Sequence, residues 1–287
     1  MTKLILVEGV PGSGKSTIAE NIAQRFRSRG RFVDLYPEGP GHPVDLGWNA
    51  CFPIPQYNEF LKTNSRFRSE IESIAVINGE YVIVPVSEIL TSDESLFKQW
   101  LAFECYTGHA RISNDVCLRL LCNRWKKFGE QMMNATTLSI FDAAFFQSQM
   151  LRLLLWSNSD EQIIISQLKQ LAETVTCLSP VLLYLTQPDG GETIIRAAKE
   201  RQHHRTGVSF YGNWLDSVIA DSESSPFWKH NHLSGMEGVL EYFAIRKQME
   251  LTTIAQLPIT CKIIETADYN WVDAWAKIDV FLNEMDS

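Results

Sequence analysis

Read for apolar and polar positions alone, the chain contains two kinds of segment. Short, nearly unbroken apolar runs occur at residues 4–7, 32–36, 136–141, 181–185 and 261–264. Runs of this kind predict strands of a parallel sheet covered by helices on both faces, because a strand with one solvated face alternates instead. Residues 17–29, 143–156, 161–176, 192–201 and 237–257 carry apolar residues at helical spacing and predict helices between the strands, in β-α-β order. After the last run, Trp271, Trp275, Ile278 and Leu282 recur at the same spacing, which predicts an amphipathic C-terminal helix docked on the core.

One interval breaks this rhythm. Residues 37–134 lie between the second and third runs, far more than the ~10–15 residues of an ordinary crossover. Within it, residues 73–86 read SIAVINGEYVIVPV, two β-prone arms around Asn78-Gly79, a dipeptide suited to a type I′ turn. A hairpin is predicted there, with helices to follow at 98–103 and 115–128. Neither an internal repeat nor a low-complexity tract is present, so the interval is expected to be folded.

Composition narrows the class. A chain of 287 residues with 45% hydrophobic content can bury a large core without disulfide or metal staples. The cysteines at 51, 105, 117, 122, 177 and 261 lack the paired spacing of a zinc ribbon and read as reduced core or boundary residues. A net charge of -8 opposes the basic field that generic DNA or RNA binding uses, so no nucleic-acid partner is expected. No segment reaches the roughly 18 uninterrupted apolar residues of a membrane span. The opening residues carry no secretory h-region, so a soluble cytoplasmic protein with no membrane partner is expected.

The candidate chemistry sits directly after the first apolar run. Gly9-Val10-Pro11-Gly12-Ser13-Gly14-Lys15-Ser16 matches G-x-x-x-x-G-K-[ST] without a mismatch, at the strand-to-helix junction where a phosphate-binding loop belongs. Gly9, Gly12 and Gly14 let backbone N–H groups of the loop, Ser13 included, turn toward phosphate oxygens, and the following helix adds its positive dipole end. Lys15 is expected at the terminal phosphates, the Ser16 hydroxyl on Mg²⁺, and Thr17 at a further phosphate contact. A nucleotide sensor without turnover would carry the same loop. No N-K-x-D motif for guanine is present, which favours ATP over GTP.

The segment VEGVPGSGKST, with Glu8-Gly9 leading into the loop, resembles the opening of thymidylate kinases and deoxynucleoside kinases. Tyr36-Pro37-Glu38-Gly39-Pro40 is similar to the acidic-proline segment after their second strand, and Ile140-Phe141-Asp142 to the end of their Walker B-like strand. The run PVLLYL, followed by Glu192, Arg196, Lys199 and Arg201, resembles the strand that leads into their basic LID. These landmarks fall in family order across nearly the whole chain, and within the superfamily they are closest to a bacterial group related to thymidylate kinase. The resemblance implies an α/β P-loop NTPase fold, a five-stranded parallel sheet of order 2-3-1-4-5 between helices. It implies one kinase-like domain over 1–287, with a hairpin-containing, acceptor-side subdomain inserted at 43–134.

Two departures bear on the substrate. Asp142 is followed by Ala143-Ala144-Phe145 where thymidylate kinases have an arginine for the acceptor phosphate, and the insertion occupies the region where those kinases build the acceptor pocket. The acceptor is therefore expected to be a small molecule that the resemblance does not identify.

Within that frame Lys15, Asp142, Glu38, Arg196 and Arg201 are the expected catalytic residues. Asp142 is placed to hold Mg²⁺ or take the acceptor proton, with capping of the helix at 143–156 as its structural alternative. Glu38 is the other candidate base, its alternative being a carboxylate in a Gly- and Pro-rich turn. His42 is a weaker candidate for the same role. Arg196, Lys199 and Arg201, with His203-His204-Arg205 beyond them, would close over phosphates; otherwise they form a solvated helix surface balanced by Glu192 and Glu200. His203 and His204 are adjacent on one element and do not make a zinc pair. The expected activity is ATP- and Mg²⁺-dependent phosphoryl transfer, the alternative a regulatory nucleotide-binding protein. The oligomeric state is open, a homodimer among the options.

Overall fold

The structure is a computed structural model that describes residues 2–108, 110–188, 190–201, 214–266 and 270–286. The first elements are β1 (Leu4–Gly9), α1 (Lys15–Ser28), β2 (Val33–Tyr36), β3 (Asn49–Pro53), α2 (Ile54–Thr63) and α3 (Arg68–Ile74). Next come β4 (Val76–Asn78), β5 (Tyr81–Pro85), α4 (Glu88–Ser92), α5 (Glu94–Leu101) and α6 (Asn114–Met132). The remainder runs β6 (Leu138–Asp142), α7 (Gln147–Met150), α8 (Glu161–Glu173), β7 (Val181–Thr186), α9 (Gly190–Arg201) and α10 (Trp214–Glu223). It closes with α11 (Pro226–His230), α12 (Gly235–Ile254), β8 (Thr260–Glu265) and α13 (Trp271–Asp286). Two compact units result, Met1–Glu38 with Trp125–Ser287, and Gly39–Arg124.

The first unit is built on a parallel sheet of order β2-β6-β1-β7-β8. Counted along that unit alone, this is the 2-3-1-4-5 arrangement. The central strands β1, β6 and β7 are buried along their whole length, which is why their sequences are continuous apolar runs. One core cluster joins Ile5 and Val7 to Ile18, Ile22 and Phe26 of α1 and to Ile278 and Leu282 of α13, with Trp271 and Trp275 packed against it. The C-terminal stripe is therefore part of the core. Among the described residues, no helix is long and apolar enough to cross a membrane.

The expected helix at 143–156 is corrected. Ala143 adopts φ 59, outside helical space. α7 begins only at Gln147, and the chain then widens into a π-helix over Leu151–Leu155. The physical reason lies in β1: the Ala143 N–H donates to the Val7 carbonyl (3.0 Å), and the Phe145 N–H to the Glu8 carboxylate (2.7 Å). Those bonds tie residues 143–146 to β1 and keep them out of the helix, so Asp142 ends a strand and Phe146, not Asp142, precedes the helix.

In the second unit, β4 and β5 form the hairpin around Asn78-Gly79, and β3 adds to β5 to make an antiparallel sheet of order β3-β5-β4. The sequence reading missed β3, whose Asn49 and terminal Pro53 conceal a buried strand. Phe52, Phe60, Val82, Val84, Leu96 and Trp100 belong to this unit's own core cluster. The helix expected at 98–103 is α5, displaced toward the N-terminus because Asp93 caps it by accepting from the Leu96 N–H at 2.9 Å.

Candidate phosphate-binding site

The glycines of the loop between β1 and α1 let it turn sharply and pack closely against neighbouring elements. Gly9, Gly12 and Gly14 all have positive φ. A Cβ on Gly12 would lie 2.8 Å from the Ala197 side chain and 2.9 Å from the Thr193 carbonyl, and one on Gly14 would run into the Trp271 ring. The loop is thus held between α9 on one side and the start of α13 on another. Within it the Ser13 N–H donates to the Val10 carbonyl at 3.2 Å, and the Ser13 hydroxyl is fully buried with no partner. Such an orphaned hydroxyl inside a glycine cradle is what a phosphate oxygen would satisfy.

Lys15 opens α1, is buried, and donates from Nζ to the Val10 carbonyl at 3.2 Å. Burial pushes its pKa down, while the charges of Asp142, Glu38 and Glu8 push it back up. Asp142 pairs with Val7 in the sheet register, which brings it beside the loop strand. Burial raises its pKa, opposed by a hydrogen bond with Ser16 and by the Lys15 charge. Its Oδ1 atom is buried without a partner. The Ser16 hydroxyl and the Asp142 carboxylate, near enough for Ser16 to lower the Asp142 pKa, are hard oxygen donors, a set that would fit Mg²⁺ with phosphates and water filling the other positions.

Glu38 follows β2, is exposed, and accepts a hydrogen bond from the Gln147 amide. It reaches Lys15 electrostatically, so Lys15, Ser16, Asp142 and Glu38 come together. Arg196 lies half-buried on α9, the helix that packs on Gly12, and Thr17 is exposed in the first turn of α1. His203, His204 and Arg205 lie outside the described residues, as does the Arg201 side chain. His42 belongs to the second unit, where its Nδ1 accepts from the Val44 and Asp45 N–H groups. Burial, and secondly the Arg124 charge, lowers its pKa to about 4.

The sequence reading passed over a buried polar network behind the loop. Glu8 is fully buried and its pKa is raised to about 8 by burial, although the Phe145 N–H and Lys15 favour its charged form. In the register it faces Tyr184 of β7. The Tyr184 hydroxyl donates to Glu250 (2.6 Å), whose other oxygen accepts from Arg246 (2.7 Å) one turn earlier on α12. Burial works against the Arg246 charge, and Glu250 more than restores it. The available signal was a lone glutamate at the end of an apolar strand; the Arg246–Glu250 spacing alone matches any solvated helix pair.

No protein-family model matches the chain, and no curated protein matches it in sequence. Among solved structures it is similar to deoxyadenosine kinase from M. mycoides with bound dATP, at 13% identity over 99% of this chain and 100% of that one, with a TM-score of 0.40. It is also similar to thymidylate kinase from Candida albicans, at 18% identity over 98% and 93% of the two chains, with a TM-score of 0.41.

Proposed function

We propose that this chain is an ATP- and Mg²⁺-dependent phosphotransferase acting on a small hydroxyl-bearing acceptor. One observation carries the reading: a buried lysine and an orphaned serine hydroxyl in the glycine loop after β1 lie beside Asp142 at the end of the neighbouring β6, with Ser16 near its carboxylate. A purely structural turn has no use for a buried lysine, or for buried Ser13 and Asp142 oxygens that lack hydrogen-bond partners. The bound nucleotide would supply the phosphoryl group. Backbone N–H groups of residues 9–16 and Lys15 hold its phosphates, and Ser16 and Asp142 hold the metal.

In the transfer, the acceptor oxygen bonds to the γ-phosphorus and the bond to the β,γ-bridging oxygen breaks, its electrons leaving on ADP. The hydroxyl proton passes to Glu38, the carboxylate exposed beside Lys15. Arg196, on the helix that packs on Gly12, would neutralise charge that develops on the phosphoryl oxygens. Incubating the protein with Mg-ATP and a panel of nucleosides, nucleotides, sugars and aminoglycosides tests the reading by mass spectrometry. The expected result is one acceptor heavier by a phosphoryl group, absent with Lys15→Ala. Tight ATP binding with no acceptor modified and hydrolysis at background would favour a nucleotide sensor instead.

A further inference from the structure

One cavity, of about 500 Å³, is walled in part by the phosphate loop itself. Its lining includes Val10 of the loop, Gly190 and Gly191 at the start of α9, and Phe243, Lys247 and Gln248 of α12. The carbonyl of Val10 accepts from the Lys15 ammonium. One residue thus belongs both to the cavity wall and to the loop whose carbonyl holds the Lys15 ammonium, so the cavity adjoins the phosphate loop. The volume falls in the roughly 300–1,000 Å³ range of small-molecule sites.

The lining has a distinct chemistry. The Phe243 ring is fixed by Tyr242 (5.1 Å between centroids) and Trp214 (6.5 Å), giving a preformed apolar surface. Lys247 is half-buried and donates to the neutral Gln187 carbonyl at 2.5 Å. Among the described residues it has no carboxylate partner. The buried Glu250 on the same helix commits both oxygens to Arg246 and Tyr184. A cation held at a cavity wall by a neutral partner favours an anionic ligand.

We infer that this cavity is the acceptor subsite and that the acceptor is a hydroxyl-bearing organic anion, a carboxylate or a phosphate monoester, no larger than a nucleotide. The inference rests on the loop being the phosphoryl-donor site. Its body lies on Phe243, its anionic group meets Lys247, and its hydroxyl faces Val10. This moves the expected acceptor pocket from the insertion at 43–134 to α9 and α12.

The test is ligand-observed NMR on the full chain with Mg²⁺ and a non-hydrolysable ATP analogue. The probes are glycerate and 3-phosphoglycerate, both set beside uncharged glycerol, pantothenate beside pantothenyl alcohol, and AMP beside adenosine. At least one anionic probe is expected to bind about tenfold or more tightly than its counterpart. Lys247→Met should erase that preference and Lys247→Arg retain it, while Ala244→Phe, which fills the cavity from an exposed position, should block binding. Absence of anion binding, equal binding of the uncharged probes, or a preference that survives Lys247→Met would overturn the inference. Product mass with ATP separates the two readings. Transfer to uncharged acceptors without anion binding keeps the kinase and removes this subsite; charge-selective binding without transfer to any probe keeps an anion site and removes the kinase.

Discussion

Asp142 ends a buried strand, keeps a hydrogen bond to Ser16 and lies within the field of Lys15. Asp142→Ala is expected to lower turnover about a hundredfold or more and to leave the circular dichroism spectrum unchanged. Steady-state kinetics showing full activity would take Asp142 out of the site. Glu104, in the second unit, makes a pH prediction. Burial raises its pKa from 4.5 to about 8, against the pull of the Tyr106 N–H on the charged form. The folded chain therefore binds a proton that the unfolded chain releases between those values. The resulting stability is fully present below pH 4.5 and is lost as pH rises through about 8. Glu104→Gln should flatten this part of the pH profile of the thermal midpoint; a profile identical to wild type would refute the assignment. Lys15, Ser16 and Asp142 were legible because a motif or a strand end marks them. Glu8 and Arg246 were not, because burial and long-range partners define them and neither is written in local spacing.

At the scale of elements, α12 shows how a buried pair constrains a helix. Arg246 and Glu250 are both almost completely buried and pair one turn apart. Removing one partner strands the other charge away from water. Arg246→Met should cost about 3–5 kcal/mol in urea unfolding, and Arg246→Met with Glu250→Leu should recover much of the loss. A double variant no more stable than the single one would show that Tyr184 and its surroundings dominate. The strands were legible in the sequence because burial on both faces leaves continuous apolar runs. The segment after β6 was not: residues 143–156 have helical spacing, yet two hydrogen bonds to Val7 and Glu8 hold the first four residues out of the helix. β3 escaped for the opposite reason, since its burial comes from pairing with β5 and its own composition is weakly strand-like.

At the scale of the whole molecule, two hydrophobic clusters belong to two units of the chain. Calorimetry is expected to resolve two unfolding transitions, with Mg-ATP raising only the one that contains β1 and α1. A single transition shifted as a whole would show that the two cores unfold together. The five strands were legible as apolar runs, whereas their order was available only as what the resemblance to nucleotide kinases implies, because a run does not name its neighbours in the sheet. The second unit was legible only as a long folded interval with one hairpin, because its remaining elements depend on contacts between distant residues. One contact joins the two ends of the chain: Trp271, at the start of the last helix, lies against Gly14 in the first loop. Indole emission responds to nearby charge, so the protein carries its own optical reporter of loop occupancy. Mg-ATP should change the fluorescence of the wild type, and Trp271→Phe should remove the change although seven of the eight tryptophans remain. Nucleotide affinity would then be readable in a cuvette, without a labelled ligand and before any acceptor is known.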